Sequence, residues 1–184
     1  MSAPELPFFV YGTLRPGEVN HDLLLRGRTL REEPARLAGA VLYQGPGYPY
    51  AVEQPGGTVT GELVTPLPGA YARLLAELDR LEEYVPGDPR NLYARVEREV
   101  TVSGAVPEAA TRTVTGAAAA AATGGDGDGD GGADGGGDRD REGAVLRGGG
   151  HVVRAWVYVA APAVADRLRA RGKLIESGDW LDRR

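Results

Sequence analysis

The 184 residues include no cysteine. Disulfides, thiolate metal sites and a cysteine nucleophile are excluded together. The absence also fits a reducing compartment, so the expected location is cytoplasmic. Lysine is nearly missing: Lys173 is its sole occurrence, and every other long basic side chain is arginine. With so much Ala and Gly, this marks the codon bias of a GC-rich genome rather than a function. Histidine occurs only as His21 and His151, far apart and without ligand spacing, which argues against a metal centre. No apolar run approaches the roughly 20 residues of a membrane span. Met1–Pro7 lacks the basic and apolar regions of a signal peptide, so none is expected. The formal net charge of −5 repels a phosphate backbone, so nucleic acid is not an expected partner. The chain carries no Gly-x-Ser-x-Gly elbow and no Walker or dinucleotide glycine pattern.

Hydrophobic residues make up 42% of the chain, enough for one core. Pro7–Tyr11 is a short apolar run ending at Gly12 and reads as a buried first strand. Asn20–Leu25 reads as one or two helical turns, with Asn20 as cap and Gly27 as stop. Arg28–Glu53 has β character, broken by Pro34 and by Gly45-Pro46-Gly47. Thr58–Val64 alternates as a strand, with Val59, Gly61 and Leu63 on one face. Ala70–Tyr84 is the clearest helix, because Leu74, Leu75, Leu78 and Leu81 form one stripe before Pro86-Gly87-Asp88-Pro89. Leu92–Val102 and His151–Ala160 read as strands, the second more apolar and so central; Pro162–Arg171 reads as a short helix.

Between these, residues 104–150 change texture. Ala117–Ala122 is an alanine tract, and Gly124–Gly143 is almost wholly Gly, Asp and Arg. Such a composition buries too little apolar surface to offset ordering entropy, so the segment is expected to be a disordered insert within a single domain spanning 1–184. Asp126–Gly131 matches the first half of an EF-hand loop, but Gly137 stands where a bidentate Glu is required. Low complexity is the better reading.

Two patterns carry chemistry. In Tyr11-Gly12-Thr13-Leu14-Arg15-Pro16-Gly17 a strand runs into Gly-Thr and then a Pro-Gly turn. Backbone amides left open there suit a carboxylate or an oxyanion; taken alone, a plain tight turn is the commoner meaning. In Leu78-Asp79-Arg80-Leu81-Glu82-Glu83, Glu82 follows Leu78 by four and so lies on the apolar side of the helix. Asp79 and Glu83 share a more polar face. A partly desolvated acid at Glu82 has a raised pKa and can shuttle protons; taken alone, a surface charge at a helix end is commoner.

As a pair, Val10–Gly17 and Leu78–Glu82 resemble the γ-glutamylcyclotransferase-like superfamily. Pro86–Pro89 leading to Tyr93-x-Arg95, Ala155–Val159, and Ser177-Gly178-Asp179-Trp180 look like its bacterial branch. The resemblance covers Pro7–Val102 and His151–Trp180. It implies an α+β fold, a compact mixed β-barrel with flanking helices. It also implies a cofactor-free, metal-free enzyme that cyclises a γ-glutamyl amide to 5-oxoproline and releases an amine. On that resemblance Glu82 is the acid/base; Tyr11, Gly12, Thr13 and Leu14 bind the γ-glutamyl head group; Tyr93 and Tyr158 are pocket walls. The expected partner is a small γ-glutamyl substrate, and the expected state is monomeric. A non-catalytic binder on the same scaffold is the rival reading. A second rival is an acidic interaction loop built on the Gly/Asp segment.

Overall fold

Six strands and two α-helices are present in the computed structural model, which describes residues 5–104 and 150–182. They are β1 (Phe8–Val10), β2 (Thr29–Gln44), β3 (Pro49–Pro66), α1 (Tyr71–Leu81), β4 (Tyr93–Val102), β5 (His151–Ala160), α2 (Pro162–Arg171) and β6 (Lys173–Ile175). The expected insert and its Asp126–Gly131 run fall in residues 105–149, outside the described residues.

The sheet order is β3-β1-β5-β4-β2-β6, and β2 also pairs with β3. β1 and β5 are parallel; every other pairing is antiparallel. The architecture is therefore a mixed sheet with few helices. β5 lies between β1 and β4, as its apolar composition implied. The pleat sends successive residues to opposite faces, and both faces are buried. Phe8 and Val10 pack with Val64, Leu74 and Leu78 beside α1. Phe9 and Tyr11 pack with Leu37, Val59, Leu63, Val100, Val157 and Trp180, so strands β1 to β5 all contribute to one cluster.

Several expectations change. Pro34 does not break the strand: β2 runs through it, opposite Glu62. Proline lacks only a donor, and the Pro34 carbonyl still accepts from the Ser103 amide at 2.8 Å. Thr58–Val64 is the second half of a much longer strand. Its first half is separated by a register shift, since Ala38 pairs with Thr58 while Ala40 pairs with Glu53. Asn20 is not a capping side chain; its amide donates to Thr13 Oγ1 at 2.9 Å, tying the π-helical turn His21–Leu25 to the loop after β1. α1 stops at Leu81 rather than Tyr84. β6 was not foreseen; it pairs with β2 through Leu42 and Ile175.

Candidate active site

Five parts of the chain surround one cavity of about 350 Å³. The loop after β1 brings Tyr11–Leu14, and the tip of the β2–β3 hairpin brings Gly47–Pro49. The end of α1 brings Leu78, Leu81, Glu82 and Glu83; β4 and β5 bring Tyr93 and Tyr158. All the candidate residues from the sequence thus line one space.

The loop is a series of tight turns. Arg15 N–H donates to Gly12 O, Glu18 N–H to Arg15 O, and Asn20 N–H to Thr13 O. These bonds leave out the amides of Gly12, Thr13 and Leu14. The requirement for glycine at position 12 differs from the expected one. A Cβ there would sit 2.8 Å from the Pro49 ring, so close approach to the hairpin tip demands it.

Glu82 is the C-cap of α1, one residue beyond its last turn. Tyr84 N–H donates to Asp79 O at 2.8 Å and Glu83 N–H to Arg80 O at 3.2 Å. This is the two-bond Schellman closure. It requires a left-handed residue, and Glu83 takes that role with φ of 51°. The reversal leaves Glu82 on the cavity lining and Glu83 exposed beside it. The Glu82 carboxyl has no hydrogen-bond or ion partner among the described residues. Burial pushes its pKa up to about 7. The helix C-terminus, negative in its partial charge, acts in the same direction.

The tyrosine rings face the cavity, but their hydroxyls are spoken for. Tyr11 donates to Tyr158 O at 2.5 Å and accepts from the Ala51 amide at 3.3 Å. Tyr93 donates to Pro49 O at 2.9 Å and stacks on Tyr50 with centroids 4.9 Å apart. Burial moves both phenol pKa values upward, and the neighbouring Glu82 charge adds to it. Tyr158 donates to Asp79 Oδ1 at 2.6 Å. Asp79 therefore does not sit on a polar face with Glu83, as its spacing suggested. Its other oxygen accepts from Arg95 at 2.6 Å, and Arg95 lies over the rings of Tyr84 and Trp156.

A second network braces the loop from behind. Arg15 is buried, with 5% of its surface exposed. It donates to both oxygens of Glu62 and, at 2.5 Å, to Asp179. Leu181 N–H donates to the same Asp179 oxygen, and Gly178 O accepts from the Thr60 amide. The Ser177–Trp180 turn is thereby fastened to β3 and to the loop. Neither network was read from the sequence. Asp79 had a usable signal, three residues before Glu82 on the same helix; Arg15 and Asp179 had none beyond lying in the quoted motifs.

Among the described residues, no group of three or more His, Asp or Glu is placed to hold a metal ion, and no helix is long and apolar enough to cross a membrane.

A cavity of this size, lined by the Tyr11–Leu14 loop and by an acid unpaired among the described residues, has the dimensions of a small-molecule site. Residues 8–122 match the family described as Gamma-glutamyl cyclotransferase, AIG2-like, and the chain belongs to that family. A curated relative, the gamma-L-glutamyl-butirosin B gamma-glutamyl cyclotransferase of Niallia circulans, is 41% identical over 97 residues. That match covers 52% of this chain and 58% of the relative, so the chain spans little more than half the relative's length. Among solved structures, an Arabidopsis thaliana protein is similar at 22% identity, covering 98% of this chain and 72% of its own, with a TM-score of 0.49. An AIG2-like protein from Mus musculus is similar at 20% identity, covering 86% and 80%, with a TM-score of 0.47.

Proposed function

We propose that this protein cyclises a γ-glutamyl amide to 5-oxoproline and frees the amine, with Glu82 acting first as base and then as acid. One observation carries the reading: Glu82, without a hydrogen-bond or ion partner among the described residues, is an acid held at about pKa 7 in the cavity that the Gly12–Leu14 loop lines. The substrate folds so that its α-amine approaches its own γ-carbonyl carbon. Glu82 takes a proton from that amine, and the nitrogen attacks. A C–N bond forms, the carbonyl electron pair moves onto oxygen, and a tetrahedral oxyanion results. When the electrons return, the bond to the leaving nitrogen breaks and Glu82 returns the proton to it. No water is consumed and no net proton is lost. Because the nucleophile is tethered, holding the substrate in its folded form supplies much of the rate. The loop amides hold negative oxygen, the substrate carboxylate or the oxyanion. Tyr11, Tyr93 and Tyr158 serve as walls that keep water from Glu82.

The finer account of the fold belongs to the same proposal: the sheet is a closed barrel. Support comes from the return pairing of β2 with β3 and from the cluster shared by β1 to β5.

The test is Glu82→Gln, assayed for 5-oxoproline against a panel of γ-glutamyl amides. General acid–base catalysis contributes roughly 10²–10⁴-fold, and a loss of that size is expected with the fold intact. Undiminished release would overturn the assignment. For the wild type, kcat/KM should rise as pH increases through about 7, where Glu82 in the free enzyme loses its proton.

A further inference from the structure

The cavity lining includes no Arg, Lys or His among the described residues. A ligand carboxylate there must be held by neutral donors. Most side-chain donors of the lining are already used. The Tyr11, Tyr93 and Tyr158 hydroxyls donate to Tyr158 O, Pro49 O and Asp79, and Tyr48 is paired with Tyr50. Within Tyr11–Leu14, the side-chain donor left over among the described residues is the Thr13 hydroxyl.

Thr13 is held twice by one residue. Asn20 N–H donates to Thr13 O at 3.2 Å, and Asn20 Nδ2 donates to Thr13 Oγ1 at 2.9 Å. Both residues are half-buried and both line the cavity, so this bond joins two parts of its wall. An amide NH2 donates and does not accept, so Thr13 Oγ1 is the acceptor and keeps its own proton. That proton has no acceptor among the described residues. Polar groups withdrawn from water normally find partners, and a hydroxyl proton left unclaimed on a cavity wall is prepared for a ligand oxygen. Asn20 is itself fixed. It leads into the π-helical turn, where Leu25 is fully buried and His21 Nε2 lies 2.9 and 3.0 Å from the two Glu32 oxygens. The loop is thereby tied through Asn20 and its neighbour to β2.

We infer that Asn20 is a positioning residue: by donating to Thr13 Oγ1 it turns the Thr13 proton into the cavity, where that proton binds the α-carboxylate of the γ-glutamyl head group. The identity of the ligand rests on the cyclotransferase reading. The task given to Asn20 lies beyond it.

The test separates binding from chemistry. Asn20→Asp puts an acceptor of the same shape where the donor was, so the Thr13 proton turns to the new carboxylate and away from the cavity. The probe is γ-glutamyl-n-butylamide, titrated calorimetrically against the Glu82→Gln protein. In that protein Thr13→Val should weaken binding about tenfold, as expected for loss of a hydrogen bond to a charged group. Thr13→Ser should recover most of what Thr13→Val loses. Asn20→Asp should weaken binding by a similar factor when Thr13 is present and by much less in the Thr13→Val background, because the two changes remove the same bond. With Glu82 in place, Asn20→Asp should act through KM more than through kcat. Equal losses from Asn20→Asp in both backgrounds would overturn the inference, since the added charge alone accounts for them. So would full affinity in Thr13→Val, or a loss confined to kcat. If the amide binds in the expected order yet the wild type releases no 5-oxoproline, the catalytic reading fails and the positioning role stands. If the wild type releases 5-oxoproline while Asn20→Asp binds the amide undiminished, the positioning role fails and the catalytic reading stands. An amide that binds none of these proteins overturns both.

Discussion

Asp79 and Glu82 lie one turn apart, and their circumstances are opposite. Asp79 is saturated by the Tyr158 hydroxyl and the Arg95 guanidinium. Glu82 has no partner among the described residues, and burial holds its proton on to about pH 7. The same contrast separates two larger regions. Behind the Tyr11–Leu14 loop, Arg15, Glu62 and Asp179 form a closed network of charge. In front of it, the cavity is lined by an acid that has no partner among the described residues. A buried charge that only supports structure is compensated, because an unpaired one costs several kcal/mol. An unpaired one is retained where a proton must come and go.

The largest expected effect tests the compensated side. Arg15→Met leaves Glu62 and Asp179 facing each other without their cation. Breaking a buried pair typically costs about 3–5 kcal/mol. Chemical denaturation should show a loss toward the lower figure, since both carboxylates retain some exposure. Adding Glu62→Gln and Asp179→Asn should recover part of it. An unaltered midpoint for the single variant would mean that the network is idle.

Next comes the uncompensated side. The folded-state pKa of Glu82 is raised, so the folded protein binds the extra proton between about 4.5 and 7. Stability from this group is therefore full below about pH 4.5 and declines as pH rises through about 7. Glu82→Gln removes that decline. Relative to wild type, its unfolding free energy should gain steadily across this window, by about 1–3 kcal/mol in all, and stay level above it, read from denaturant titrations at each pH. A variant that loses stability at pH 8 would show that Glu82 is paired after all.

The smallest effect concerns Glu83. Glu83→Gly should stabilise the fold by about 1 kcal/mol, because glycine accepts the left-handed turn without penalty. Thermal melts of the two proteins decide it. A destabilised glycine variant would mean that Glu83 contributes more through its side chain than its backbone costs.

Much of this molecule was legible in its sequence where the signal was local. The Leu74–Leu81 stripe announced α1, and β5 and α2 run over the ranges that their patterns indicated. The long-range features were not legible. Arg15 and Asp179 are 164 residues apart, and no local periodicity encodes their meeting. Pro34 looked like a break because its missing donor is visible in sequence and the Ser103 amide that still uses its carbonyl is not. Lys173–Ile175 is too short to show alternation, and it is a strand only because β2 offers it an edge.

By itself the sequence determined the local elements, the apolar register that sets Glu82 four residues after Leu78, and the pairing of motifs that marks the family. Tertiary structure alone decided the rest. It placed Pro49 against Gly12, assigned a partner to Asp79 and withheld one from Glu82. It ended α1 one residue before Glu82, through a left-handed Glu83. Helix and strand signals repeat within a few residues, whereas desolvation and ion pairing depend on which distant segments pack together. The candidate acid was therefore readable as a position, and its unpaired, proton-holding state became visible only in the fold.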